Sequence, residues 1–162
     1  MAAAALALVA SELLLRVLGL PKKHDLAGSC DTGMAQRDPR YGWVWKASTR
    51  RTRTQGWREI DYEFDAEHDR ASSADAISDP GRPTILFVGE SIIAGHALEW
   101  PESLPALVAR GAGVQTIDLG VDGYGSDQAF LRLVDALPRY RHVVAVVTLF
   151  FPGLVDRVAW VD

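Results

Sequence analysis

The chain has 162 residues, 48% of them hydrophobic, which is enough for one core with at most a small appendage and excludes wholesale disorder. Its formal net charge of −4 gives no general attraction for phosphate backbones, so we expect no nucleic-acid partner. The single cysteine, Cys30, excludes an intramolecular disulfide and a cysteine-based zinc motif, and we expect neither a metal nor a cofactor.

Residues 1–20 form a hydrophobic segment whose length approaches that of a membrane-spanning helix. Two charged side chains interrupt it, Glu12 and Arg16, but their i, i+4 spacing lets them pair on one helix face. We therefore expect a single-pass membrane anchor; the alternative is an amphipathic helix that docks on the domain. Taken alone, Lys22 and Lys23 would place the residues after the helix in the cytoplasm, so the orientation in the membrane stays open.

Residues 21–82 are predicted to be an accessory extension of short strands and irregular segments that ends in a linker. Within it Ile60, Tyr62 and Phe64 alternate with acidic residues, which is the period of a half-buried strand. Residues 65–83 are polar and end in proline and glycine, which is typical of a linker. The arginine-rich run at 46–58 is interpreted as a solvated face rather than a polyanion site.

Residues 83–162 show the pattern of an α/β core. Three apolar runs are separated by two helical stretches: TILFVG at 84–89, VQTIDLG at 114–120 and VVAVVTLFF at 143–151. Continuous apolar strands that alternate with helices predict a parallel sheet in a three-layer α/β/α arrangement, incomplete because only three strands are visible. The apolar face of the second helix is expected to consist of Phe130, Leu133, Val134 and Leu137.

Glycines follow all three predicted strands, at the sheet edge where parallel sheets bind ligands. Ser91 stands directly after the first strand, where we expect a helix to begin. Free N–H groups and the dipole of a helix start favour a nucleophile there; a plain helix cap is the alternative. Ile93 excludes the G-x-S-x-G elbow of α/β-hydrolases, and neither a P-loop nor a G-x-G-x-x-G fingerprint occurs.

Two blocks of the sequence resemble the SGNH hydrolase superfamily, also called GDSL-type esterases and lipases. VGESIIAGH resembles the first block, with Ser91 in the place of the nucleophile and Glu90 in the place of an aspartate. DLGVDGYGSDQ resembles the second block and puts Gly123 at the glycine whose N–H helps to form the oxyanion hole. The resemblance covers about residues 83–156, and it implies an SGNH/flavodoxin-like fold and acyl transfer by a serine nucleophile.

Two parts that the resemblance implies are missing. The third block supplies an asparagine to the oxyanion hole, but this chain has LFFPGLVDR there and contains no asparagine. No Asp-x-x-His motif follows the third strand, and none of the four histidines, His24, His68, His96 and His142, stands in that context. We interpret His96 as a rim histidine rather than a base. The chain is therefore expected to be an N-terminal part that lacks a C-terminal segment, or a degenerate member.

Two functions follow as hypotheses. The first is a serine hydrolase that acts on an ester or acetyl group of a carbohydrate or lipid, and the resemblance favours an extracytoplasmic location for it. The alternative is a non-catalytic SGNH-like binding or assembly module. A phosphate or nucleotide binder at the glycine loops is a third hypothesis, which is disfavoured because no basic residue accompanies those loops.

Overall fold

The computed structural model describes residues 33–149 together with Leu14 and Val17. Nearly all of the predicted helix at 1–20, and the end of the third apolar run from residue 150, lie outside the described residues. The chain divides into two units, Met1–Gly33 and Met34–Asp162, and almost all described residues belong to the second. No helix in this part of the chain is long and apolar enough to cross a bilayer.

Two antiparallel hairpins come first along the described chain. Their strands are β1 (Ala35–Asp38) with β2 (Gly42–Trp45), and β3 (Thr49–Gln55) with β4 (Arg58–Phe64). In β4, Ile60, Tyr62 and Phe64 are buried while the residues between them are partly exposed. The strand predicted from their alternation is therefore confirmed.

A parallel sheet of three strands follows, as the sequence predicts. Its strands are β5 (Thr84–Val88), β6 (Gln115–Asp118) and β7 (Val143–Thr148), in the order β6-β5-β7. Helix α1 (Leu104–Ala112) connects β5 to β6, and helix α2 (Ser126–Ala136) connects β6 to β7. Four of the five residues of β5 are buried, which explains why this strand reads as a continuous apolar run.

The strand order puts the end of β5 at the switch point of the sheet. The chain leaves β5 towards one side through α1 and then crosses to the other side through α2. Right-handed crossovers place two such helices on opposite faces, which produces the α/β/α layers. The fold is that of an incomplete SGNH/flavodoxin-like sheet, and ligands of open α/β sheets bind at such a switch point.

Two hydrophobic clusters hold this part of the chain together. One lies between β5, β6 and α2. The other joins the hairpins to the loops after β5 and β6, and its buried residues are Met34, Trp45, Ile60, Tyr62, Phe64, Ala94, Val121 and Tyr124. Fully burying one large apolar side chain contributes about 1.5–3 kcal/mol, so the second cluster binds the hairpins firmly to these loops.

Helix α2 does not bury the apolar face that its periodicity suggests. Phe130, Val134 and Leu137 are exposed by 62%, 40% and 39%, so the prediction is wrong for these three residues. The helix buries other residues instead, namely Ala129, Arg132 and Ala136. Small alanines let the helix approach β5 closely, and Arg132 turns inward because it pairs with the buried Asp69.

The exposed outer edge of β7 leads us to expect self-association of the protein in solution. Among the described strands β7 pairs only with β5, and Val144 in β7 is 58% exposed. An unpaired apolar edge is a template for pairing with another chain, so we expect association that increases with protein concentration. Val144→Lys should reduce it in sedimentation velocity, because a charge on the edge opposes strand pairing. Ile77→Lys is the matched control, since Ile77 is exposed but lies outside every described strand; an equal effect of both variants would contradict the prediction.

Candidate active site

Two loops meet at the carboxyl ends of β5 and β6. The Ser91 loop comprises residues 89–98 and the Gly123 loop comprises residues 119–125. The Val121 N–H donates to the Gly89 carbonyl at 3.2 Å. Gly120 lies so close to the Ser91 loop that a Cβ at this position would be 2.5 Å from the Ala94 nitrogen. The fold therefore brings the two predicted site residues, Ser91 and Gly123, onto loops that touch through their backbones.

The predicted helix after Ser91 is wrong, because residues 91–97 form a run of turns. The His96 N–H donates to the Ser91 carbonyl at 2.8 Å, which closes a turn one residue wider than that of an α-helix. Gly95 and Ala97 have left-handed backbones, with φ of 65° and 63°, which an α-helix does not accommodate. The Tyr62 hydroxyl accepts from the Ala97 N–H at 2.8 Å. Ser91 is thus presented by a loop and receives no helix dipole.

The main-chain N–H groups of Ser91 and Gly123 are both unengaged by the described residues. Neither donates a hydrogen bond to any group between residues 33 and 149. Gly123 has φ of 81°, a left-handed conformation that glycine adopts without a steric penalty. An oxyanion hole consists of such donors, held ready and free to bind a developing negative charge.

The His96 ring contacts the Asp122 carboxylate beside Gly123. The His96 Nδ1 lies 2.9 Å from Asp122 Oδ2, and the two side chains are 38% and 27% exposed. A guanidinium nitrogen of Arg53 lies 4.0 Å from the same carboxylate oxygen. His96 therefore lies at the partly exposed rim of the two loops. The contact joins the Ser91 loop to the Gly123 loop through side chains as well as through the backbone.

Arg70 holds the Ser91 loop from the N-terminal extension. Its guanidinium donates to the carbonyls of Ala94 at 2.5 Å, Gly95 at 2.7 Å and Leu98 at 2.5 Å. A Cβ on Gly95 would lie 2.6 Å from the guanidinium, so only glycine fits beneath it. Burial lowers the pKa of Arg70, and its three carbonyl partners compensate for part of that desolvation.

The segment that carries Arg70 is itself fixed by buried polar contacts. Arg70 lies over the Tyr62 ring, 4.5 Å from its centroid. The neighbouring Asp69 accepts from Arg132 at 2.5 Å and from Arg139 at 3.0 Å, and burial raises the pKa of Asp69 to about 6. Residues 69–71 are buried, so the first part of the segment that reads as a linker is a structural element. Within the described residues, no group of three or more His, Cys, Asp or Glu is arranged to hold a metal.

Two tryptophans of the first hairpin hold the Gly123 loop. Trp45 Nε1 donates to the Gly120 carbonyl at 2.8 Å, and Trp43 Nε1 donates to the Asp122 carbonyl at 3.1 Å. The Tyr124 hydroxyl donates in return to the Trp43 carbonyl. The extension therefore positions both loops of the candidate site.

Asp118 is a buried carboxyl directly before the Gly123 loop. Its Oδ1 accepts from the Gly120 N–H at 2.9 Å, while its Oδ2 has no partner among the described residues. Burial raises the pKa of Asp118 well above its ordinary value of 3.8, which favours the protonated acid. Asp118 also lines a cavity of about 120 Å³ between residues 65–78 and β6, and this cavity includes neither Ser91 nor Gly123.

Sequence reasoning missed Asp122 and Arg70 as site residues. Asp122 precedes Gly123 in the second matched block, and a carboxylate beside a predicted site glycine is a signal that could have identified it. No local pattern marks Arg70, because its carbonyl partners lie 24 to 28 residues further along the chain. Asp65 and His68 have Asp-x-x-His spacing upstream of Ser91, but the His68 Nδ1 contacts the Trp45 carbonyl at 2.7 Å rather than a carboxylate.

Comparisons with known proteins include partial matches to an esterase. No protein-family model matches the chain, and neither does any curated protein. The chain is similar to the crystal structure of AlinE4, an SGNH-hydrolase family esterase, at 26% identity and a TM-score of 0.38, over 51% of this chain and 46% of that chain. Two mutants of this esterase match at 27% and 26% identity, each with a TM-score of 0.35 over 46% of this chain and 42% of that chain. The chain thus spans less than half the length of these solved structures.

Removing the Arg70 guanidinium should destabilise the protein. Arg70→Met leaves the Ala94 and Leu98 carbonyls without this donor, whereas the Gly95 carbonyl keeps the Leu98 N–H at 3.0 Å. We therefore expect the free energy of unfolding to fall by about 3 kcal/mol in urea titrations. Arg110→Met is the matched control, since Arg110 is exposed and donates to one carbonyl only, that of Pro101 at 3.1 Å. It should change stability by less than about 0.5 kcal/mol. Equal losses in both variants would contradict the role of Arg70.

Asp118 should make stability depend on pH. Because its pKa is raised in the folded protein, its contribution is greatest below the ordinary value of 3.8 and is lost as pH rises through the raised pKa. Asp118→Asn keeps the acceptor for the Gly120 N–H and removes the titration. We expect the melting temperature of the variant, relative to wild type, to rise with pH from about pH 4 upward. Asp75→Asn, which changes an exposed carboxyl, is the control, and its melting temperature should follow that of wild type across this pH range. If the melting temperature of Asp118→Asn also follows that of wild type, the prediction is wrong.

Proposed function

We propose that this chain is an SGNH-type serine hydrolase that cleaves an ester or acetyl group of a carbohydrate or lipid, with Ser91 as the nucleophile. The observation that supports it is the meeting of the Ser91 loop and the Gly123 loop at the strand ends, with both main-chain N–H groups unengaged by the described residues. A serine beside free N–H donors has the parts that the tetrahedral intermediate of acyl transfer needs.

In the proposed reaction, Ser91 Oγ attacks the carbonyl carbon and passes its proton to a base, while the π electrons of the carbonyl move to its oxygen. The N–H groups of Ser91 and Gly123 stabilise this oxyanion. Its collapse re-forms the carbonyl and expels the alcohol, which takes the proton from the base. Water then releases the acyl group by the same sequence. Because a missing asparagine donor costs about 2.7–4 kcal/mol of transition-state stabilisation, we expect slow turnover.

The proposal includes two parts of the protein beyond the site. Residues 1–20 would tether the hydrolase to a membrane as a single helix, on the extracytoplasmic side. A further C-terminal segment would pair with the outer edge of β7, where the described strands leave Val144 and Val146 exposed. AlinE4, to which about half of the chain is similar, is an SGNH-hydrolase family esterase.

A non-catalytic binding module is the second candidate. It is favoured by the run LFFPGLVDR, which stands where the third block of the family supplies an asparagine. Such a module would use the same loops to bind its ligand, but Ser91 would not react covalently.

Labelling with a fluorophosphonate separates the two candidates. We expect the full chain to gain one phosphonyl adduct by intact mass, on Ser91, and Ser91→Ala to gain none, because the adduct replaces the hydroxyl proton of the nucleophile. Ser72→Ala is the matched control, since Ser72 is an exposed serine outside both loops, and it should label like wild type. Absence of an adduct in wild type favours the binding module, and an adduct that persists in Ser91→Ala excludes Ser91 as the nucleophile.

A further inference from the structure

His96 and Asp122 are the only histidine and carboxylate in contact among the described residues. A carboxylate can only accept a hydrogen bond, so the His96 Nδ1 at 2.9 Å carries the proton. A ring with its single proton on Nδ1 keeps the Nε2 lone pair, and no described residue bonds to that nitrogen. In serine hydrolases a carboxylate on Nδ1 holds the imidazole in the tautomer that accepts a proton at Nε2.

The same pair lies beside the other parts of the candidate site. The His96 N–H donates to the Ser91 carbonyl at 2.8 Å, so the two residues lie at the two ends of one closed turn. Asp122 directly precedes Gly123, and Trp43 holds the Asp122 carbonyl at 3.1 Å. Nucleophile, imidazole, carboxylate and oxyanion donor therefore lie on two loops that are fixed to each other.

The other described histidines lack this arrangement. The His68 Nδ1 contacts the main-chain carbonyl of Trp45 at 2.7 Å. His142 precedes β7, at the end of the sheet opposite to the two loops, and its carbonyl accepts from Thr84. Neither pairs with a carboxylate among residues 33–149.

We propose that His96, oriented by Asp122, is the general base that activates Ser91 in this chain. The inference rests on the proposed function and assigns the base to a residue of the Ser91 loop. In the attack step, the Ser91 hydroxyl proton moves to His96 Nε2 as the Oγ–carbon bond forms, and the imidazolium returns the proton to the leaving alcohol. In this structure the Ser91 hydroxyl has no partner among the described residues; such catalytic hydrogen bonds often form only when substrate is bound.

The test is the rate at which a fluorophosphonate inactivates the full chain, with and without added imidazole. In this reaction Ser91 Oγ bonds to phosphorus, fluoride leaves, and the hydroxyl proton goes to the base. We expect His96→Ala to react about 100-fold more slowly than wild type, because general-base catalysis contributes about that factor or more. Free imidazole should restore part of the rate, since it can occupy the vacated place. A residue that only shaped the loop would not respond to imidazole.

Two further variants sharpen the test. Asp122→Asn should slow the reaction at least about 10-fold without imidazole rescue, because the His96 ring still fills its place but is no longer held in the reactive tautomer. His142→Gln is the matched control and should react like wild type. Melting temperatures measured for each variant separate lost reactivity from lost folding, and His96→Gln provides a second substitution if the alanine variant does not fold.

The outcomes distinguish this inference from the proposed function. Ser91-dependent labelling that is slow in His96→Ala and rescued by imidazole supports both. Ser91-dependent labelling at the wild-type rate in both His96 variants overturns the assignment of the base and leaves Ser91 as the nucleophile. Absence of Ser91-dependent labelling in wild type overturns both.

Discussion

The candidate site depends on a buried guanidinium and the carbonyls that it binds. Ala94, Gly95 and Leu98 offer the carbonyls that a helix after β5 would use for its own hydrogen bonds. Arg70 donates to all three, and it shares the Gly95 carbonyl with the Leu98 N–H. Desolvating a cation is costly, and burial lowers the pKa of Arg70 accordingly. The arrangement is stable because these hydrogen bonds to a charged donor are strong and because the Tyr62 ring lies beneath the guanidinium. Arg70 thus replaces a helical turn by a loop of a different shape.

This contact changes which part of the chain builds the site. Composition separates a β-rich extension from an α/β core near residue 83, and side-chain contacts of the site cross this boundary. Arg70 and Tyr62 fix the Ser91 loop, while Trp43 and Trp45 fix the Gly123 loop, and all four precede β5. Aromatic side chains supply much of the buried surface of the second hydrophobic cluster, which spans the same boundary. The site is therefore a property of the whole unit from Met34 onward.

Sequence reasoning succeeded where local patterns determine structure and failed where distant contacts do. The alternation in β4 and the apolar runs of β5, β6 and β7 identify strands, because burial on one or both faces leaves a direct imprint on residue type. The helix expected after Ser91 fails because Arg70, far away in sequence, competes for its carbonyls. The prediction of the buried face of α2 is wrong for a related reason. Arg132 turns inward because it pairs with Asp69, and the helix packs its alanines rather than Phe130 against the sheet.

The contact between His96 and Asp122 contributes little to the stability of the fold. Both side chains are partly exposed, and exposed ion pairs typically contribute about 0.2–1 kcal/mol. The loops that carry them are already held by the Val121 N–H, by Arg70 and by two tryptophans. What the contact does determine is the orientation and the tautomer of one imidazole beside Ser91. The scaffold holds both loops without this contact, so the His96 ring and the two unengaged N–H groups contribute little to the fold and remain available to a bound molecule.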